Sequence, residues 1–206
     1  MHATDRMNKM SKITASELEV LSNIIENRHT TKPAKMNGRE IENHQIETLL
    51  ALADHAPTHG RTEPWRFIVY SGAAFQEFCQ NHAAMYQEKS SSFKENKYEL
   101  LKSHANHASH LVIVYLKRTI QSKIPAQEEY AACCAAVQNL LLGASAMGLS
   151  AIWSTGGMAY SDGMKQYLGL DEEDQVVAFL YLGYSDEQPK PRDRKISWRD
   201  KSVFKE

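Results

Sequence analysis

The sequence predicts one layered α/β domain in which helices pack on a central sheet. The chain has 206 residues, which is an ordinary length for a single domain with or without extensions. Its residues are 42% hydrophobic and 24% charged, a composition typical of globular proteins that bury a core. From Arg39 onward, segments with helical spacing of apolar residues alternate with short apolar runs. This alternation favours a layered domain over a helical bundle or a β-sandwich.

Helices are predicted where apolar residues recur at the spacing of one helix face. Thr14 and Glu17 form a capping-box pattern at the start of the first helix, and the apolar repeat ends at Asn27. A second helix fits residues 39–55, and Pro57 marks its end because proline disfavours helical geometry at the residue before it. Further helical segments are expected near residues 73–82, 95–109, 126–147 and 162–168.

Strands are predicted at residues 67–70, 111–116, 151–153 and 176–182. The second and the fourth are nearly continuous apolar runs. Such runs are expected where helices cover a strand on both faces, so these two strands should lie in the middle of the sheet.

The segment 130–147 is rich in small residues, and we expect it to be buried around its whole circumference. Gly143, Ala146 and Gly148 would allow a strand or a second helix to approach closely. Two interpretations fit this composition equally well. The segment is either a helix at the centre of a dimer or an ordinary core helix.

The two ends of the chain differ in composition. Residues 1–13 are polar and are predicted to form a flexible tail, and residues 14–206 are predicted to form one domain. The segment 184–206 is charged and contains two prolines, which fits a disordered tail. It also carries four large apolar residues that fit an arm packed across a neighbouring subunit: Ile196, Trp198, Val203 and Phe204.

Charge and patterning exclude several classes of protein. The net charge is −1 and the pI is near 6.8, so no basic field points to nucleic acid or to an anionic membrane surface. The polar first residues do not resemble a signal peptide. No apolar run reaches the roughly 20 residues that a membrane span requires. These observations predict a cytoplasmic protein.

The cysteines and histidines are interpreted as structural. Cys79, Cys133 and Cys134 have no zinc or disulfide spacing and are expected to be reduced, buried thiols. The histidines show no metal-ligand spacing, and we expect no metal site. His104, His107 and His110 are expected to lie on the solvated polar face of one helix.

Two stretches carry side chains that a simple connection does not need. The first, residues 55–67 (HAPTHGRTEPWRF), combines two histidines, two arginines and a tryptophan between a helix and a strand. It is either a basic surface loop with Trp65 in the core or a functional loop on a rigid scaffold. The second, residues 149–157 (LSAIWSTGG), ends a strand in hydroxyl groups and bare backbone N–H groups. That combination suits a planar ligand such as a flavin or a nucleotide.

Common nucleotide and hydrolase motifs are absent. The sequence contains no GxGxxG after a strand, no GxxxxGK[ST] and no GxSxG. A dinucleotide fingerprint, a P-loop and a nucleophile elbow are therefore not predicted.

Four stretches resemble, in order and spacing, the FMN-dependent nitroreductase family. They are residues 27–32 (NRHTTK), 56–58 with 63–67 (APT and EPWRF), 151–156 (AIWSTG) and 179–184 (FLYLGY). The likeness is greatest to the short bacterial NAD(P)H nitroreductases. The resemblance implies a central mixed, mostly antiparallel sheet flanked by helices, with the segment 184–206 as an extended C-terminal arm. It also implies a homodimer that holds FMN at the subunit interface.

The resemblance assigns cofactor-binding positions but no catalytic residue. Arg28, His29 and Thr30 match the segment that holds the FMN phosphate and ribityl chain, and a guanidinium can bind phosphate through two parallel bonds. His55 and His59 match positions that contact the flavin, in part across the dimer. The remaining positions match backbone, hydroxyl and phosphate contacts: Ser154, Thr155, Gly156 and Arg194.

Two departures from the family pattern concern charge. His29 replaces an arginine and Lys32 replaces the third cation, so phosphate affinity is expected to depend more on pH. Glu63 replaces a glutamine, and an ionised carboxylate cannot donate a hydrogen bond. We therefore expect Glu63 to pair with Arg61 or Arg66.

The resemblance implies hydride transfer from NAD(P)H to a nitroaromatic, quinone or similar acceptor by a ping-pong cycle, because the flavin carries the chemistry. Two alternatives stay open. One is another FMN reaction on the same fold, such as dehalogenation, flavin destruction or ring dehydrogenation. The other is a flavin-binding module without turnover.

Overall fold

A four-stranded antiparallel sheet with the strand order β1-β2-β4-β3 forms the centre of the fold. We describe it from a computed structural model of the chain, which covers residues 14–118, 123–187 and 194–206. The strands are β1 (Trp65–Ser71), β2 (His110–Leu116), β3 (Ser150–Ser154) and β4 (Gln175–Gly183). The four predicted strands are confirmed, each longer by one or two residues at its ends. All pairings between these strands are antiparallel, which agrees with the mostly antiparallel sheet that the resemblance implies.

Six α-helices surround the sheet in the described part of the chain. They are α1 (Ala15–Asn27), α2 (Asn43–Ala53), α3 (Gly72–Lys89), α4 (Glu95–Ser103), α5 (Ala126–Ala146) and α6 (Asp162–Tyr167). All six were predicted. The second begins four residues later than expected, because Gln45 Oε1 accepts from the Glu42 N–H at 3.3 Å and starts the helix there. The third continues seven residues further than expected.

The capping box of α1 is confirmed. The Glu17 N–H donates to Thr14 Oγ1 at 3.3 Å, and the Thr14 N–H donates to Glu17 Oε2 at 2.7 Å. Yet α1 buries no residue in this chain, and Leu18, Leu21 and Ile25 are exposed by 58%, 46% and 46%. The helix is therefore well started but its apolar face has no cover within one chain.

Helices on both faces of the sheet create two cores. Val112, Val114, Leu180 and Leu182 point to one face and pack with α2 and α5. Leu111, Ile113, Phe179 and Tyr181 point to the other and pack with α3 and α6. Because β2 and β4 are buried on both faces, their continuous apolar runs were correctly interpreted as central strands.

A register shift in β4 fixes the end of β3. Between Val114 and Tyr115 the pairing of β2 with β4 skips Val177. The Val177 carbonyl instead accepts from Trp153 Nε1 at 3.1 Å. A β-bulge leaves one residue outside the ladder, and here the indole uses its free acceptor. Trp153 therefore ties the end of the edge strand to its neighbour.

Helix α5 packs closely on α2 at the predicted glycine. A Cβ on Gly143 would lie 2.7 Å from Leu52 Cδ1 and 2.9 Å from Leu49 Cδ2, so a larger residue would require these leucines to shift. The prediction that the helix is buried all round is wrong, because Ala131, Gln138 and Ala146 are exposed. One side of α5 packs on the sheet and α2, and its outer side is open in a single chain.

The predicted polar face of three histidines is also wrong. Helix α4 ends at Ser103, and His104–Asn106 is a single 3-10 turn. His104 is 8% exposed, and His110 is 4% exposed at the start of β2. The helix stops before these residues, so they do not share a helix face, and the chain directs two of them inward.

The predictions for the two ends of the chain can be compared with the structure only in part. The flexible tail predicted for residues 1–13 lies outside the described residues, as does the segment 188–193 of the arm. Within the described part of the arm, four apolar side chains are exposed by 54–84%: Ile196, Trp198, Val203 and Phe204. Among the described helices, none combines the length and the apolar character needed to cross a membrane.

Candidate functional site

A cavity of about 270 Å³ opens beside the start of β3 and is lined by Arg28 and His29. Hydroxyl groups of Ser145, Ser150 and Ser185 belong to the same wall. A guanidinium, an imidazole and hydroxyls are the donors that a phosphate group requires. One carboxylate, Glu187, also lines the cavity, but it is paired with Lys35 Nζ at 2.5 Å.

The backbone places the two cationic side chains on this cavity. The Thr31 N–H donates to the Ala151 carbonyl at 3.0 Å, which holds the segment after α1 against the edge of the sheet. Thr31 is buried, whereas Thr30 is exposed. Arg28 makes no ion pair with another described residue, so its guanidinium is available to a ligand.

His29 has one ring nitrogen committed and one free. Nδ1 lies 3.1 Å from the Asn27 carbonyl, which can only accept, so Nδ1 carries the proton. Nε2 is then the atom that can face a ligand. In the neutral ring Nε2 accepts, and it donates to an anion only when the ring is protonated.

Ser154, Thr155 and Gly156 follow β3 along the same edge of the sheet. From Ala151 to Thr155 the chain advances about 13 Å at the usual rise of a strand. The Gly156 N–H lies 3.4 Å from Ser154 Oγ, and Thr155 is exposed. The structure thus brings the segment 28–31 and the segment 154–156 to one edge of the sheet.

The loop 55–67 lies elsewhere and is fixed by its own side chains. Trp65 is 3% exposed and its Nε1 donates to Asp54 Oδ1 at 2.8 Å. His59 Nδ1 donates to Glu128 Oε2 at 2.5 Å in the first turn of α5. His55 is exposed just after α2. Trp65 therefore anchors the loop in the core, and both histidines are accessible.

The backbone of this loop is strained. Arg61 has φ of 54° and Glu63 has φ of 43°, although neither is glycine. Left-handed geometry at such residues is uncommon and persists only where the surroundings impose it. The Glu63 N–H donates to Thr58 Oγ1 at 3.2 Å, which helps to hold the turn.

The expected ion pair of Glu63 is not formed. Arg66 Nη1 donates to the backbone carbonyls of Glu63 and Trp65 at 2.8 and 2.7 Å. Among the described residues the Glu63 carboxylate has no cationic partner and is exposed. The arginine satisfies backbone carbonyls of the strained turn, so it is not available to the side chain.

Arg194 is not brought to the cavity by the described residues. It is exposed and makes no hydrogen bond or ion pair with them. The residues that connect it to β4 lie partly outside the described ranges. Its predicted phosphate contact stays a prediction.

Within one chain, His59 is far from the cavity. His59 contacts Glu128 in the first turn of α5, and the cavity is lined by Ser145 in the last turn. These two positions on one helix lie about 25 Å apart at the usual rise. The predicted cofactor residues therefore fall into two separate groups in a single chain.

Two features of the site escaped prediction. Ser145 and Ser150 line the cavity because α5 ends and β3 begins beside Arg28. His82 of α3 contacts the loop after β3, where its Nε2 lies 3.2 Å from the Met158 N–H. The sequence places His82 in a predicted helix, but no pattern connects it with residue 158.

The cysteines offer no reactive thiolate. Burial raises the pKa of Cys79 to about 11 and that of Cys133 to about 12. Cys79 and Cys133 are buried and Cys134 is half-buried, and all three are free thiols. The predicted burial is confirmed for Cys79 and Cys133 but not for Cys134, and thiol nucleophilic chemistry is not supported.

Comparison with known proteins shows the family of the chain. The sequence profile of the nitroreductase family matches residues 25–184. A Bacillus subtilis (strain 168) protein that carries the provisional name NAD(P)H nitroreductase YfhC is 28% identical over 176 residues, which cover 85% of this chain and 89% of that protein.

Solved structures with the same fold lie in the same family. A nitroreductase-like family protein from Bacillus cereus is 25% identical with a TM-score of 0.78, covering 96% of this chain and 99% of that one. The FMN-dependent nitroreductase NfnB from Mycobacterium smegmatis, solved with NADPH, has a TM-score of 0.74 at 16% identity. This match covers 92% of this chain and 99% of that one.

Proposed function

The chain belongs to the nitroreductase family, and we propose that it is an FMN-dependent oxidoreductase that takes hydride from NAD(P)H. The observation that carries this proposal is the cavity beside β3, which Arg28, His29 and three serines line together. Its donors fit the phosphate end of FMN. The segment 154–156 continues along the same edge and offers hydroxyl and backbone N–H groups to the ring end.

Names of related proteins support the choice of cofactor and co-substrate. The Mycobacterium smegmatis neighbour is an FMN-dependent nitroreductase in complex with NADPH, and a Desulfitobacterium hafniense nitroreductase was solved with bound FMN. When bound, FMN would supply the redox chemistry, passing electrons from NAD(P)H to a nitroaromatic or quinone acceptor in a ping-pong cycle.

The side chains of this chain bind and orient; we assign no catalytic residue. Arg28 holds phosphate through its guanidinium fork, and His29 adds a second cation when it is protonated. Ser154, Thr155 and Gly156 orient the ring system through hydrogen bonds. Thr30 and Arg194 are proposed as further contacts to the ribityl chain and the phosphate.

We propose that the site is completed by a second copy of the chain. His59 lies about 25 Å along α5 from the cavity, so it cannot join Arg28 within one chain. The open outer side of α5 and the exposed apolar face of α1 offer surface for a homodimer. In that dimer, His55 and His59 of one subunit face the FMN of the other.

The first test is the absorption spectrum and the elution volume of the purified protein. We expect a yellow protein, or one that becomes yellow after incubation with FMN, eluting as a dimer. NAD(P)H should bleach the flavin band, and a panel of nitroaromatic and quinone acceptors should restore it. A colourless monomer after incubation with FMN would contradict the proposal.

A complementation test addresses the shared site directly. Arg28→Ala and His59→Ala each damage both sites of a homodimer. In a mixed dimer, one site carries both defects and the other carries neither. Equal mixing after subunit exchange should therefore restore FMN binding at about one site in four. If mixing the two variants restores no FMN binding, either both residues act on the same FMN from one subunit, or at least one of them does not belong to the site.

A further inference from the structure

The segment 154–156, at the start of the loop between β3 and α6, needs an anchor, since its own hydrogen bond is long. It carries Ser154, Thr155 and Gly156, which the proposed function assigns to the ring end of FMN. Within the loop, the Gly156 N–H reaches Ser154 Oγ only at 3.4 Å. A loop that orients a planar ligand must keep its N–H groups in place, because donors lose strength steeply with misalignment.

His82 of α3 supplies that anchor. Its Nε2 accepts from the Met158 N–H at 3.2 Å, and the side chain is 2% exposed. Phe78 and Phe179 hold the imidazole, with both ring centroids 5.6 Å from its own. The orientation of the imidazole is therefore fixed by these aromatic contacts and does not depend on the loop.

Gly157 and His82 fit each other sterically. Gly157 has φ of +69°, in the left-handed region that favours glycine. A Cβ at this position would lie 2.3 Å from His82 Nε2. The backbone thus passes directly over the imidazole, and both the conformation and the contact require glycine.

The contact works only with a neutral imidazole. Nε2 must be unprotonated to accept from the Met158 N–H, so the proton lies on Nδ1. Burial, together with smaller effects of the nearby His104 and Lys97, lowers the pKa of His82 to about 4. No carboxylate among the described residues pairs with His82, so the ring stays neutral near pH 7.

We propose that His82 is a positioning residue that locks the 154–158 loop in the conformation that receives the ring end of FMN. This inference rests on the proposed function for its ligand, but the lock itself is a property of the chain alone. It predicts that a change at His82 acts on FMN affinity through the loop, although His82 itself does not contact the cofactor.

The lock is tested first in the wild-type chain without FMN. The ¹⁵N shifts of the His82 ring should show a protonated Nδ1 and an unprotonated Nε2, and the Met158 amide should exchange slowly. Protonation of His82 on acidification should release that amide together with the ring. A protonated Nε2 at neutral pH, or fast exchange of the Met158 amide, would overturn the proposal.

Three variants then connect the lock with the cofactor. His82→Leu removes the acceptor and leaves a buried N–H unpaired, so we expect the Met158 amide to exchange about 10-fold faster and the Kd for FMN to rise about 10-fold. His82→Gln offers a side-chain carbonyl as acceptor, so it should recover much of the slow Met158 exchange and of the FMN affinity. His44→Leu, at an exposed histidine of α2, is the matched control and should change neither.

The readouts separate the failure of each proposal. If the wild-type chain binds no FMN, the proposed function fails, while ring tautomer and amide exchange still decide the lock. If His82→Leu folds and binds FMN with the wild-type Kd, the positioning role is wrong. If His82→Leu does not fold, the tautomer and the His82→Gln affinity decide instead, and a wild-type tautomer with Nε2 protonated refutes the lock.

Discussion

The edge of the sheet at β3 and the loop 55–67 are fixed in opposite ways. At the β3 edge, backbone groups make the anchoring bonds: the Thr31 N–H reaches the Ala151 carbonyl, and the Met158 N–H reaches His82. In the loop, the side chains of Trp65 and His59 make them. The first arrangement leaves Arg28 and His29 Nε2 free for a ligand. The second commits its side chains to hold a preformed surface.

This difference fits two halves of one shared site. A pocket that receives a charged cofactor needs uncommitted cations and hydroxyls on a rigid backbone. A surface that covers the cofactor from a second subunit needs a fixed shape before the subunits meet, because ordering a loop on association costs free energy. The following predictions separate the two regions, starting with the largest expected effect.

Trp65→Ala should break the loop and spare the β3 edge. Removing a buried tryptophan costs about 3–5 kcal/mol of unfolding free energy. It also leaves Asp54 without its donor. Trp65→Phe keeps most of the apolar contact and should cost about 1 kcal/mol, the net value of a typical hydrogen bond. Chemical denaturation measures both, and equal losses for the two variants would show that the ring does not anchor the loop.

Acid should act on the β3 edge through His82. An unfolded histidine takes its proton near pH 6.5, but His82 in the folded chain does so only at about pH 4. Between these values the unfolded state binds more protons, so the unfolding free energy should fall by about 3 kcal/mol as the pH drops. Below pH 4 this contribution should not decrease further. His104, whose pKa burial also lowers to about 4, should contribute in the same window.

This prediction is controlled by comparing variants with the wild type over the same pH range. Unfolding curves of His82→Leu should show a shallower fall between pH 6.5 and 4 than those of the wild type, whereas His44→Leu should follow the wild type. Identical slopes for all three proteins would mean that His82 is not buried as a neutral ring.

Arg28→Ala should weaken FMN binding while stability stays nearly constant. Hydrogen bonds to charged groups contribute about 1.5–3 kcal/mol, so the Kd should rise about 10- to 100-fold. Arg28→Lys keeps the charge but lacks the guanidinium fork, so its Kd for FMN should lie between those of the wild type and Arg28→Ala. Lys94→Ala, at an exposed cation far from the cavity in sequence, tests whether loss of any cation suffices. Fluorescence quenching of FMN on titration measures all three, and an unchanged Kd for Arg28→Ala would remove the cavity from the site.

The sequence predicted the fold more completely than the site. Strands β2 and β4 were recognisable because burial on both faces leaves an uninterrupted apolar run, and α1 because its capping box is local. His82 was not recognisable, since its partner is 76 residues away and the bond uses a backbone N–H that leaves no trace in the sequence. The histidines after α4 were misjudged because the helix stops at Ser103, and a 3-10 turn then changes their direction.

The separation of Arg28 from His59 shows a second limit of sequence reasoning. Motifs give the order of segments along the chain, but not the distances between them in space. The distance along α5 shows that these motifs belong to two places in a single chain. The packing of α5 reveals this separation, because the first turn of α5 contacts the loop 55–67 and its last turn lines the cavity.

The smallest effect on stability should come from the pair that connects His59 with Glu128. Both side chains are more than 45% exposed, so their contact is screened and contributes less than about 1 kcal/mol. His59→Ala and Glu128→Ala both break this pair and should change the unfolding free energy equally. If His59 touches FMN across the dimer, only His59→Ala should raise the Kd for FMN. If both variants raise it equally, His59 acts only by holding the loop, and the cofactor contact of this loop must then fall to His55 or to its backbone.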